Sequence, residues 1–186
     1  MDEQEHYCEN TDTYPITKFF KLGNTRGKHI LLVGESPAPN GWRKSGKAFY
    51  TINGKLLPTG KNLNKLFEPY QLNIDDCSFT ELVKCYVDKK RKQLDVCGSK
   101  CWPIFLKQLK ANNIRFIILL GVKTLEIFNK NSNLNLEIGV ITEASLSESM
   151  YQFLPIYHPS PIGPYNHQKN IEIFNKLAKQ LRDLLC

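Results

Sequence analysis

The sequence predicts an α/β domain of three layers, with helices on both faces of a central, mostly parallel four-stranded sheet. Four short apolar runs, His29 to Val33, Ser78 to Val83, Phe116 to Leu120 and Phe153 to Tyr157, are nearly continuous rather than alternating, which suits strands covered on both faces. Segments with helical spacing lie between and after them. At 186 residues and 41% hydrophobic side chains the chain is long enough for one core of this kind and needs no disulfide to close it.

In order, residues 1–27 read as an N-terminal extension of a single domain spanning 1–186, and His29 to Val33 is the first strand. Thr59 to Tyr70 follows as a helix, with Leu63, Leu66 and Phe67 on one face. Ser78 to Val83 is the second strand, and Lys100 to Asn112 a helix with Phe105, Leu106 and Leu109 inward. Phe116 to Leu120 is the third strand and Lys123 to Asn129 its helix. Leu134 to Thr142 is a small hairpin or an extra strand, broken at Gly139. Phe153 to Tyr157 is the fourth strand, and Asn166 to Leu185 one long helix with Ile171, Phe174, Leu177, Ala178, Leu181, Leu184 and Leu185 at helical spacing.

Charge and cysteine usage bound the partners. The balance of 25 Lys and Arg against 18 Asp and Glu gives +7, a pull toward polyanions that makes nucleic acid the natural partner to test. No apolar run approaches the roughly 20 residues of a membrane helix. Residues 1–10 carry Asp2, Glu3, Glu5 and Glu9, unlike a secretory leader, so the expected compartment is the cytoplasm, with access to DNA and no membrane partner, and a monomer is expected. Six cysteines in that compartment are free thiols, metal ligands or catalytic groups.

In parallel sheets ligands bind outside the carboxyl ends of the strands, so the loops at 34–60, 84–98, 121–124 and 158–167 hold the candidate residues. The first reads Gly34-Glu35-Ser36-Pro37-Ala38 and, further on, Lys47-Ala48-Phe49-Tyr50. The second strand ends in Thr80-Glu81-Leu82-Val83-Lys84-Cys85, the third in Leu120-Gly121, and the fourth leads to His158-Pro159-Ser160-Pro161. In this order and on these elements the motifs resemble the uracil-DNA glycosylase superfamily, nearest its iron-sulfur-bearing branch, over most of the chain from about His29 to the last helix.

The resemblance implies a monofunctional glycosylase that hydrolyses the bond between deoxyribose and uracil or a related deaminated or damaged base in DNA. Cleavage leaves positive charge on the sugar and negative charge on the base, so a stabiliser for each and a positioned water are needed. His158 would donate to the base oxygen, and Glu35 and Asn40 are the candidates to hold the water. Phe49 would be the stacking platform, or else an ordinary core phenylalanine, and Ser36 and Glu81 would line the base. Ser160, Ile162 and Tyr165 would meet DNA, with Ile162 or Tyr165 as a wedge for the vacated stack. The basic run Lys84, Lys89, Lys90, Arg91 and Lys92 would meet phosphates, or else form a solvated loop.

The branch also implies a cluster. Cys85 and Cys101 stand at two of its ligand positions, but its N-terminal Cys-x-x-Cys is missing and only Cys8 remains there. Cys8, Cys85, Cys97 and Cys101 would hold an iron-sulfur cluster or zinc, or else are thiols. Two further departures stand out: Ser36 replaces the acid or amide that many relatives use on the water, and Glu81 replaces the asparagine that reads the uracil edge. A non-catalytic module that binds nucleic acid or a base on the same fold is the competing function. A small-nucleotide protein is disfavoured, because no glycine-rich phosphate loop is present.

Overall fold

The computed structural model describes residues 20–38, 41–84, 87, 93–161 and 163–185. Among these, β1 (Phe20–Lys21), β2 (Ile30–Gly34), β3 (Ser78–Glu81), β4 (Phe116–Leu120), β5 (Thr142–Leu146) and β6 (Ser149–Ile156) form one sheet in the order β1-β3-β2-β4-β6-β5. The helices are α1 (Trp42–Ser45), α2 (Pro58–Phe67), α3 (Leu94–Lys110), α4 (Val122–Ser132), α5 (Pro164–Lys176) and α6 (Ala178–Leu185).

The four expected strands are the central ones, and β3, β2, β4 and β6 run parallel. The sheet is nonetheless six-stranded and mixed, because β1 joins β3 and β5 joins β6, both antiparallel. β1 lies in the segment expected as an extension. The β5–β6 turn is made by Ser147 and Glu148, both with positive φ (50° and 68°). That geometry matches the twist of a two-residue hairpin, but Ser-Glu lacks the glycine or asparagine that usually announces one. The added strand therefore falls at Thr142–Leu146, C-terminal to the expected position.

Alternation along each strand feeds two apolar cores. Ile30, Leu32, Phe116, Ile118, Leu120, Leu154 and Ile156 meet Leu63, Phe67, Phe174, Leu181 and Leu185 on one face. Leu31, Val33, Ile117, Leu119 and Phe153 meet Leu94, Phe105, Leu109 and Phe128 on the other. The three layers follow from this division of side chains.

Two helices depart from the expected bounds. α3 begins at Leu94, and Leu94, Cys97, Gly98, Cys101, Phe105 and Leu109 make its buried stripe, which leaves Pro103 in the helix interior. The C-terminal helix divides at Leu177 (φ −97°, ψ 9°), although the apolar spacing runs on across the break. Among the described residues no helix is long and apolar enough to cross a membrane.

Candidate active site

The parallel core brings four strand ends to one edge. Glu81 is level with Gly34, Val33 with Leu119, and Leu120 with Ile156, so the ends of β3, β2, β4 and β6 form a single row. Past this row the chain stays zipped between β2 and β3: Leu82 N–H donates to Gly34 O (2.8 Å) and Val83 N–H to Glu35 O (2.9 Å). Glu35 and Glu81 are held as neighbours by these two bonds.

At one end of the row stands Glu81, buried on the sheet face it shares with Phe79. Its carboxyl lies over Gly34, where a Cβ would overlap Oε2, so this site needs the glycine. Burial pushes Glu81 up to about 8, against the attraction of Lys84 and with the help of the Glu35 charge. The Glu35 side chain has a buried Oε1. Ser36 is half-buried and Pro37 buried in the same loop.

Phe49 follows α1 and the turn at Gly46 (φ 68°). Its own φ is 66°, a conformation that strains any bulky residue by about 1 to 2 kcal/mol. The ring is buried, with its centroid 4.3 Å from that of Phe79, and Trp42 packs on Phe79 at 5.3 Å. Phe49 is thus a core residue, packed on Phe79 at the sheet face that Phe79 shares with Glu81.

At the other end of the row β6 leads to His158, which is exposed. The Ser160 N–H donates to its Nδ1 at 3.2 Å, which leaves the ring proton on Nε2 as a donor. Gly121 (φ 108°) ends β4 beneath the imidazole, and a Cβ there would come within 3.1 Å of the His158 Cβ. Three asparagines secure the segment. Asn170, fully buried on α5, accepts from Tyr157 N–H (3.0 Å) and donates to Tyr157 O (2.8 Å). Asn62 of α2 donates to Pro159 O (2.9 Å), and Asn166 to His158 O (3.4 Å). Ser160 in this loop is half-buried, and Tyr165 at the start of α5 is 77% exposed.

The row is three interstrand steps of about 4.8 Å wide, with Glu81 at one end and His158 past the other. The Uracil DNA glycosylase superfamily model matches residues 20–182, which takes in every strand of this sheet. The chain belongs to the uracil DNA glycosylase superfamily. No curated protein matches it. Members of the superfamily are typically hydrolases of the N-glycosidic bond that act on DNA.

Against that membership the expected site residues divide. Glu35, Ser36 and Glu81 are brought to one end of the row and His158 to the other. Lys84, expected at phosphate, is instead 1% exposed. Its ammonium donates to Thr80 Oγ1 (2.5 Å), Glu81 O (2.5 Å) and Gln108 Oε1 (2.6 Å), one acceptor for each proton. Burial lowers its pKa to about 7, opposed by Cys101 and Glu81. The basic-run reading failed here because Lys84 continues the β3 segment into the core, while the run's polarity suggested solvent. Asn40, Ile162, Lys89, Lys90, Arg91, Lys92, Cys8 and Cys85 lie outside the described residues.

Cys97 and Cys101 are buried thiols one turn apart on α3, and the Cys101 Sγ takes the Lys84 backbone N–H at 3.3 Å. Among the described residues no group of three or more His, Cys, Asp or Glu is arranged to hold a metal. Cys97 and Cys101 alone do not make a metal site, and no step of the chemistry below passes through one. The sequence reading missed Asn170, Asn62 and Asn166. Asn170 carried a signal: it lies four residues before Phe174 on the apolar stripe of its helix, where a polar side chain needs a partner.

Proposed function

We propose that the chain is a monofunctional DNA glycosylase that hydrolyses the N-glycosidic bond of uracil or a related deaminated or damaged base and leaves an abasic site. The observation that carries this is His158, whose Nδ1 is committed to the Ser160 N–H so that Nε2–H is a fixed donor at the strand-end row. As the bond from C1′ to the base nitrogen breaks, its electron pair goes to the base, and Nε2–H donates to the base carbonyl where that charge gathers. A neutral imidazole suffices for this. Water adds to C1′ from the sugar face away from the base, and its proton passes to a carboxylate, for which Glu35 is the described candidate. Phe49 supports the extruded base, its strained backbone being the kind of feature that clusters at such sites. Tyr165, exposed past the His158 loop, suits contact with the DNA left behind.

The test is excision from single-lesion oligonucleotides, scored as alkali-labile breaks. The parent forms abasic sites, and His158→Ala raises the barrier by about 2 to 4 kcal/mol with little change in DNA affinity. A parent that binds damaged DNA yet leaves every lesion intact is a non-catalytic base-binding module, and the glycosylase reading falls.

A further inference from the structure

We propose that Glu81 is the base-reading residue of this site and works in its acid form, donating its O–H to a base carbonyl and accepting from the neighbouring ring N–H. This rests on the glycosylase reading above and deepens it by naming the edge that is recognised.

The placement carries the argument. Glu81 is the last residue of β3, level with Gly34 at the strand-end row and opposite the end that leads to His158. Its carboxyl fills the space over Gly34 that a side chain would otherwise take, between the backbone of β2 and the Phe79 ring. The Val83 N–H to Glu35 O bond holds the Glu35 backbone beside the end of β3, and the charge of the Glu35 carboxylate acts against ionisation of Glu81. Two carboxyl groups side by side in a water-poor site do not both ionise readily. Among the described residues the cation that acts on Glu81 is Lys84, which lies on the opposite face of the sheet and already gives its protons to Thr80, the Glu81 backbone carbonyl and Gln108. Among the described residues, Glu35 and Lys84 are the charged groups that bear on the Glu81 carboxyl.

The hydrogen-bond inventory then decides what is read. An ionised carboxylate only accepts, and would set an unpaired negative charge against a base carbonyl. The acid offers one donor and one acceptor on adjacent atoms. Uracil and hypoxanthine each present a carbonyl beside a ring N–H, the lactam edge that deamination creates, and both bonds are then made. The edge read is therefore the lactam that deamination makes from the amino edge of cytosine or adenine and that thymine and guanine also carry, so Glu81 rejects the amino parent bases, with recognition lost as Glu81 ionises.

The test compares the parent with Glu81→Gln, whose amide keeps one donor and one acceptor at every pH. Uracil and hypoxanthine excision by the parent, divided by that of E81Q at the same pH, should fall about tenfold between pH ~7 and pH ~9, as expected for an acid near 8. Ionisation of the base itself affects both proteins and cancels. Glu35→Gln removes the neighbouring charge, and because it also removes the proposed general base its effect is read in binding: the alkaline midpoint for free uracil, followed by calorimetry, should move to lower pH. A ratio that is flat from pH ~6 to pH ~10 overturns the proposal while leaving the glycosylase reading intact. If the parent excises nothing, calorimetry with free uracil decides instead. Binding lost on the alkaline side in the parent and kept in E81Q supports the acid reader, and no pH-dependent difference between the two overturns it.

Discussion

Replacing Asn170 by alanine removes the clamp on the strand end that carries His158. The side chain is fully buried and makes two hydrogen bonds, at 3.0 and 2.8 Å, to the N–H and C=O of Tyr157, one residue before His158. In N170A both backbone groups lose their partner, at about 1 to 3 kcal/mol each, and partial hydration of the space left behind brings the expected loss to roughly 2 to 4 kcal/mol. For a chain of this size that corresponds to a fall in Tm of about 5 to 15 °C. The His158 Nε2–H would lose its fixed direction, and misplacement by about 1 Å lowers turnover on the order of a hundredfold. Urea denaturation measures the first effect and single-turnover excision the second. If Asn170 acts through His158, adding N170A to H158A lowers turnover little further, whereas independent roles would multiply. Stability and turnover both within twofold of the parent, or a full additive loss in the double variant, would refute the reasoning.

Other consequences are open to direct measurement. Glu81 sits well above its unfolded value of 4.5, at about 8, so its contribution to stability is complete below the lower value and is lost as pH rises through the higher one. The stability of E81Q minus that of the parent should therefore grow by a few kcal/mol between about pH 5 and pH 9 in denaturant titrations, and a constant difference would show that Glu81 is not held as the acid. Gly34→Ala puts a methyl where the Glu81 carboxyl lies. Because the obstructed atom ends a flexible side chain, excision should fall more than tenfold while stability changes by less than about 1 kcal/mol. Equal losses in both would place the strain in the backbone. With Lys84 buried, the basic run expected at phosphates reduces to Lys89, Lys90, Arg91 and Lys92, so replacing these four by alanine should flatten the slope of log affinity against log salt by about 3.6 on duplex DNA. An unchanged slope would assign phosphate contact to other cations.

The central architecture was legible because each parallel strand is buried on both faces and so writes itself as an apolar run, and the strand-end motifs follow from where those runs stop. β1 was not, since Phe20–Lys21 is too short to show any period and exists only by pairing with β3. The break at Leu177 was hidden by an apolar stripe that continues from Ile171 to Leu185 across two helices. At the candidate site, Glu81 and His158 were singled out from their positions at strand ends, and both do lie at that edge of the sheet. The burial of Lys84 was not, because the direction of its side chain is set by Thr80 and by Gln108, 24 residues further on. The clamp on Tyr157 likewise depends on α5 folding back over β6.

The two antiparallel borders have a further consequence. A sheet of β3, β2, β4 and β6 alone would end in two bare rows of backbone donors and acceptors, the template along which chains stack into aggregates. On one side β1 shields the row of β3 with two described residues, anchored by the Lys21 ammonium on the carbonyls of Ile74 (2.7 Å) and Cys77 (3.3 Å). On the other, β5 presents Glu143 and Ser145 outward from an otherwise half-buried strand. A chain shortened past Lys21 would keep every residue of the site and yet expose the β3 row at Phe79 and Thr80. Its failure would then be one of self-association, with the chemistry of each remaining monomer intact.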